Sequence, residues 1–188
     1  MVQYIYISEE KTMILNDKPS KENMKKLKKL YERTFPRAEK KPFSLIVRLA
    51  KEGKTKIYAA EENGEFLGLA IMVMHSGVAL LDYLAIEENR RNKGVGGQVI
   101  EALKVIYKDS KFILEIEDTD KDIPEREMRM RRKKFYLSHG LLVMPYKICL
   151  FGVDMEVLCY GGEIDFDEYH AVYSNVFPKR IPKRITLL

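Results

Sequence analysis

The run ALLDYLAIEENRRNKGVGGQVIEALKVI, residues 79–106, decides how the rest of this chain is read. Residues 79–86 are rich in strand formers. Val95, Val99, Leu103 and Ile106 recur at three- and four-residue spacing, the apolar stripe of a helix. Between them lies a polar stretch, residues 87–97, that carries Gly94, Gly96 and Gly97. The first turn of a helix has N–H groups with no internal acceptor, and its dipole favours negative charge. Glycine has no Cβ to hold an anion away from the backbone. A strand, a glycine loop and a helix start therefore make a cradle for a pyrophosphate. Arg91 and Lys93 add positive charge. The spacing is neither GxxxxGK[ST] nor GxGxxG after a first strand, so a nucleotide P-loop and a dinucleotide fingerprint are both set aside. The plain alternative is a loop whose glycines only turn the chain.

Working outward, residues 112–117 form the next strand. Strand, helix and strand make a parallel pair with a right-handed crossover. Upstream, residues 54–62 and 65–74 flank Asn63-Gly64, a strong two-residue turn signal. A second turn near Ser76-Gly77 leads into the strand 79–86, so these three strands are antiparallel neighbours. Residues 2–8 read as an N-terminal strand. Pro19 and Ser20 open a helix with Met24, Leu27, Tyr31 and Phe35 on one face, and Pro36 ends it. Pro42 starts a second helix that runs to near Gly53. Downstream, an acidic loop at 118–122 precedes a basic helix from Pro124 to about Ser138, which Gly140 stops. Residues 141–153 and 155–160 read as two last strands, 166–176 as a short helix, and the tail from Pro178 as basic and mobile. No repeat or linker divides the 188 residues. The expectation is one α/β domain with a mixed, mostly antiparallel twisted sheet of 6–7 strands, one splayed parallel pair and flanking helices. Residues 1–53 supply a strand and two helices, 54–145 the ligand-binding core, and 146–188 the last strands, a helix and the tail.

The pattern Arg91-x-x-Gly94-x-Gly96 resembles the [Q/R]-x-x-G-x-[G/A] loop of the GNAT acetyltransferases. Tyr83-Leu84-Ala85-Ile86 is similar to the strand before that loop, and Val95-Gly96-Gly97-Gln98 to its helix start. The resemblance implies that backbone amides of Arg91, Asn92, Lys93, Gly94, Val95, Gly96 and Gly97 hold the pyrophosphate of coenzyme A. It implies that the backbone of Leu84, Ala85 and Ile86 meets the pantetheine arm and acetyl group. A second motif follows: Phe135-Tyr136-Leu137-Ser138-His139-Gly140-Leu141 resembles the family's FYxxxGF, with leucine in place of the last phenylalanine. There the tyrosine often protonates the departing thiolate, and Tyr136 is the matching residue. Core packing at a helix end is the alternative for this aromatic pair. The family's frequent asparagine after the second parallel strand has no counterpart here.

An alkyl amine is largely protonated at neutral pH, so a base must take a proton before or during attack on the thioester. Leu114-Glu115-Ile116-Glu117 resembles the LEV segment of the ribosomal-protein alanine acetyltransferases, whose glutamate is the base; Glu115 matches it. Asp82 is a rival, because it shares strand parity with Leu84 and Ile86. Glu117 is a third candidate. Each carboxylate has the alternative of being solvated or paired with an arginine of the basic helix. That helix carries Arg126, Arg129, Arg131, Arg132, Lys133 and Lys134, which read mainly as a solvated face, with one or two available to a coenzyme phosphate.

Composition narrows the remaining classes. The net charge is +5, from 33 basic and 28 acidic residues, which is mild for a nucleic-acid binder. Cys149 and Cys159 form no metal or disulfide pattern and read as reduced thiols of a cytoplasmic protein. No leader is evident, and no apolar run approaches the roughly 20 residues of a membrane helix. His75, His139 and His170 are isolated. The expectation is an N-acetyltransferase that uses acetyl-coenzyme A and no metal, acting on a primary amine of a small molecule or peptide. A non-catalytic acyl-coenzyme A binder and a nucleic-acid binder are the competing readings. A homodimer is left open, and so is the acceptor, since its pocket is expected from the N-terminal helices and last strands.

Overall fold

The computed structural model describes residues 3–8, 11–37, 39–120 and 123–188. Val2 of the first expected strand, and Lys121 and Asp122 of the acidic loop, lie outside the described residues. The chain divides into two compact units, residues 1–73 with 81–106, and residues 74–80 with 107–188.

The first unit contains β1 (Gln3–Ser8), β2 (Lys11–Asn16), α1 (Lys21–Thr34), α2 (Phe43–Lys51), β3 (Thr55–Glu62), most of β4 (Glu65–His75), the end of β5 (Val78–Ile86) and α3 (Val95–Ile106). The strands lie in sequence order, β1 to β5, with β1/β2, β2/β3 and β3/β4 antiparallel. Asn63 and Gly64 both have positive φ, 49° and 80°, as a tight hairpin turn requires. In α1, which starts where Pro19 and Ser20 were expected to open a helix, the Ser20 side chain accepts a hydrogen bond from the Asn23 amide at 3.1 Å and caps it. Leu27, Leu30 and Tyr31 of that helix are buried with Ile46, Ile57, Leu69, Ile71, Tyr83 and Ala85 in one apolar cluster. α3 packs on β1 and β2, with Val99, Ile100 and Leu103 fully buried.

Gly68 on β4 has a role that its sequence does not announce. A Cβ there would stand 2.5 Å from the carbonyl oxygen of Ala85. Glycine thus lets β4 close against the end of β5 that leads into the loop, where the Glu87 amide donates to the Leu67 carbonyl at 2.8 Å.

The second unit contains the start of β5, β6 (Lys111–Glu117), α4 (Arg126–Ser138), β7 (Leu142–Leu150), β8 (Val153–Tyr160), α5 (Phe166–Val176) and β9 (Ile185–Leu187). Its strand order is β5-β6-β8-β7-β9. β5 and β6 are the parallel pair, in register from Val78–Lys111 to Leu80–Ile113. The other pairings are antiparallel.

The α/β architecture with one parallel pair agrees with the expectation, and β2 and β9 are added to the expected strands. β2 is six residues of an ordinary short strand, and its sequence carries no turn signal to set it apart from β1. The reading of the tail from Pro178 as mobile is corrected: Ile181 and Ile185 are buried, and β9 pairs with β7 from Ile148–Leu187 to Leu150–Ile185. Phe151 and Gly152, with φ of 55° and 92°, turn the chain earlier than expected, so β7 ends at Leu150.

Candidate functional site

The loop in the first unit has the shape its sequence implies. After a single 3-10 turn, Glu88–Arg90, the chain passes through extended Arg91. Asn92 and Gly94 then take positive φ, 58° and 79°. Those two left-handed steps turn the backbone into α3, where the Gln98 amide donates to the Gly94 carbonyl at 3.1 Å. The amides of Val95, Gly96 and Gly97 therefore belong to the first turn and have no acceptor within the helix. Residues 91–94 are exposed, Gly96 and Gly97 half-buried, and Val95 buried. Around Gly94 nothing among the described residues lies within 4 Å of where a Cβ would stand. Arg91 donates through Nε to the Ile86 carbonyl at 3.2 Å, which ties the loop to the end of β5. Arg90 pairs with Glu65 and Arg33 with Glu87. Lys93 stays exposed at the helix start.

Along β5 the side chains alternate as a strand demands: Tyr83 and Ala85 are buried, while Asp82, Leu84 and Ile86 are half-buried on the opposite face. The Asp82 carboxylate, only 5% exposed, meets the Lys41 ammonium at 2.6 Å. That ammonium also lies 5.2 Å from the centre of the Tyr83 ring, within range of a cation–π contact. The segment around Lys41 is fixed by hydrogen bonds: Tyr31 Oη to the Lys41 carbonyl at 2.8 Å, the Lys41 amide to Tyr83 Oη at 3.0 Å, and Tyr83 Oη to the Glu39 carbonyl at 3.0 Å. Burial raises the Asp82 pKa above the usual carboxylate range, against the opposing pull of Lys41. Its Oδ2 is buried and makes no hydrogen bond among the described residues.

In the second unit Glu115 stands at the middle of β6. Its Oε1 accepts from Tyr169 Oη and Tyr173 Oη, each at 2.8 Å. Both tyrosines are fully buried on α5, one turn apart, and so on one face of that helix. Glu117 has a different setting: it pairs with Arg132 and stands 3.9 Å from Arg129, both on α4. The pairing with a basic-helix arginine that was one alternative for each carboxylate is thus found at Glu117. Tyr136 lies half-buried on α4, its ring edge-on to Phe135 at 5.1 Å. Burial pushes its phenol up to about 12, so it is a neutral O–H, a proton donor, throughout the neutral range.

The basic helix is largely spoken for. Lys133 meets the buried Glu156 at 2.5 Å, Arg129 donates to the Asp118 carbonyl at 3.1 Å, and Arg126 to the Thr119 carbonyl at 3.3 Å. Asp118 and Asp120 share Lys147, at 2.8 and 2.5 Å. Asp118, Asp120 and Glu156 form an acidic cluster, crossed by Lys147 and Lys133. Arg131 and Lys134 remain exposed. Both cysteines are free thiols; burial pushes Cys159 up to about 11. His170 is held by Ser174 and the Pro182 carbonyl. Among the described residues no helix is long and apolar enough to cross a membrane.

Sequence reasoning did not single out Lys41, Tyr146, Tyr169 or Tyr173. The i, i+4 spacing of Tyr169 and Tyr173 was a usable signal of a shared face. Nothing local marks Lys41 among the chain's many lysines.

The geometry can be set beside known proteins. The sequence profile of the acetyltransferase (GNAT) family matches residues 24–128. YjbC of Bacillus subtilis (strain 168), which its name assigns provisionally to the acetyltransferases, is 30% identical over 138 residues, 71% of this chain and 69% of that protein. A Bacteroides thetaiotaomicron structure assigned to the GNAT family superposes with a TM-score of 0.67 at 18% identity, covering 86% of this chain and 93% of the other. Arabidopsis thaliana Naa50, solved with the bisubstrate analogue CoA-Ac-MVNAL, gives 0.59 at 16% identity over 80% of this chain and 99% of its own.

Proposed function

Since this chain belongs to the GNAT family of acetyltransferases, we propose that it transfers the acetyl group of acetyl-coenzyme A directly to a primary amine of a small molecule or peptide. The observation that carries the reading is the helix start at residues 94–97, with Gly94 exposed, first-turn amides that have no acceptor within the helix, and nothing among the described residues within 4 Å of a Cβ on Gly94.

In this reading the amides of Val95, Gly96 and Gly97 receive the pyrophosphate, with those of Arg91, Asn92, Lys93 and Gly94 lining the approach. Arg91 and Lys93 contribute charge. The backbone of Leu84, Ala85 and Ile86 aligns the pantetheine arm, and a β5 amide polarises the thioester carbonyl. Glu115 takes one proton from the acceptor ammonium. The freed nitrogen lone pair attacks the carbonyl carbon, the C–S bond breaks, and Tyr136 supplies the proton that turns the leaving thiolate into coenzyme A thiol. The second amine proton returns to Tyr136 through solvent, and no covalent enzyme intermediate is needed. Asp82 is the less favoured base, because Lys41 already occupies its Oδ1. Two free thiols fit a reducing, cytoplasmic setting.

The test is calorimetric titration of acetyl-coenzyme A into the protein and into the Gly94→Glu, Gly96→Glu double variant. Binding by the native chain and its loss in a folded variant is the expected result. A native chain that binds no acetyl-coenzyme A overturns the reading. Binding without transfer to any amine favours a non-catalytic acyl-coenzyme A binder.

A further inference from the structure

β7 carries an irregularity whose consequence reaches Glu115. Its register with β8 runs from Val143–Leu158 to Lys147–Glu156. Met144, Pro145 and Tyr146 therefore stand opposite the single residue Val157. Pro145, which has no N–H to give, sits where a bulge tolerates it. Val157 in turn pairs with Glu115 on β6. Tyr146 meets Phe166 of α5 at 6.4 Å, which puts it on the face of Val157 and Glu115. α5 covers this same face, since its Tyr169 and Tyr173 reach Glu115. A file of rings completes the wall: Tyr146 to Phe166 at 6.4 Å, Phe166 to Tyr169 at 6.3 Å, Tyr169 to Tyr173 at 5.6 Å.

Within this wall the Tyr146 hydroxyl is buried and has no hydrogen-bond partner among the described residues. Buried hydroxyls without a partner are uncommon and call for an explanation. The surroundings narrow what could supply one. Burial pushes this phenol upward, and the negative charges of Asp165, Glu115 and Glu168 push the same way, so it remains neutral and can accept. Asp165 already caps α5 through the Glu168 amide at 2.8 Å, and Glu168 is held by Lys111 at 2.6 Å.

Resting on the acetyltransferase reading above, we propose that Tyr146 is a specificity-determining residue, whose hydroxyl accepts an N–H of the acceptor amine while Glu115 faces the same nitrogen. The ligand class follows from the donor inventory. A phenol oxygen, a carboxylate and aromatic faces favour a compact cation with several donors and no acceptor, which describes an alkyl ammonium. Anionic acceptors are disfavoured by the carboxylates, and an alcohol brings only one donor.

The experiment compares the native chain with Tyr146→Phe, each saturated with acetyl-coenzyme A. The probes are n-butylamine, spermidine and Nα-acetyl-lysine methylamide, with n-butanol as the uncharged control. The expected result is acetylation of the alkylamines by the native chain and a rise of about tenfold or more in amine KM for Tyr146→Phe, in line with the loss of one specific hydrogen bond. Affinity for acetyl-coenzyme A stays unchanged and the melting temperature holds or rises, because the variant loses no hydrogen bond to the described residues and no longer buries an unpaired hydroxyl. Three results overturn the proposal: an unchanged KM, a fall of several degrees in Tm that reveals a structural bond, or no alkylamine accepted by a chain that binds acetyl-coenzyme A. A native chain that binds no acetyl-coenzyme A is the separate failure of the family-based reading.

Discussion

Asp82 and Glu115 are the same chemistry in two different settings. Each is a carboxylate on a strand, pressed against tyrosines. In the first unit Asp82 is met by the Lys41 ammonium at 2.6 Å beneath an aromatic lid. In the second, two phenols donate to one oxygen of Glu115. A cation next to a carboxylate cancels its charge. Phenols orient it and leave the charge in place. The comparison teaches that burial on a strand does not by itself nominate a base. The two carboxylates differ in the kind of donor that holds them.

The sharpest way to break the comparison is to remove the cation. Lys41→Met leaves Asp82 buried without its ammonium and is expected to cost about 3–5 kcal/mol in urea unfolding, the usual penalty for breaking a buried pair. Lys41→Met with Asp82→Asn should recover much of that loss. If Lys41→Met is neutral, the pair is not the anchor described.

Removing one phenol is expected to cost less. Tyr173→Phe deletes a hydrogen bond to a charged group, worth about 1.5–3 kcal/mol, and leaves Glu115 Oε1 with Tyr169 in place of two phenols. The expected signature is a fall in kcat together with a displaced acidic limb of the pH profile, while acetyl-coenzyme A binding holds. An unchanged pH profile would show that Tyr173 is packing alone.

The smallest effect lies in pH. Burial raises Asp82 above its ordinary value of 3.8 in the folded state. The folded chain therefore binds this proton more readily than the unfolded one. The stability that Asp82 contributes is complete below about pH 3.8 and is lost as pH rises through its folded pKa, with a slope of at most about 1.4 kcal/mol per pH unit. Asp82→Asn should flatten that part of the stability curve; a curve identical to the native one would remove the buried carboxylate from the account.

Much of this was legible from local signals. The stripe of Val95, Val99 and Leu103, the Asn63-Gly64 turn and the Ser20 cap each act over a few residues, and each appears where the sequence puts it. The same holds for the glycine loop, because Gly94 takes the positive φ that its residue type allows at little cost. The bulge at residues 144–146 was not legible, since a bulge exists only relative to a partner strand. Nor was the ordered tail, whose strand character depends on β7 lying beside it.

By itself, then, the sequence determined most of the elements, their order and the glycine turn into α3, with β2 and β9 the exceptions, because backbone propensity, periodicity and glycine conformations are short-range. Only the tertiary structure decided the partners. Lys41 and Asp82 are 41 residues apart, and Glu115 is 54 and 58 residues from the two tyrosines that hold it. The chain contains 33 lysines and arginines and 11 tyrosines, all alike in one dimension. Which of them reaches a given carboxylate is set by strand register and helix packing, and that choice fixes whether the carboxylate is met by a cation or by phenols.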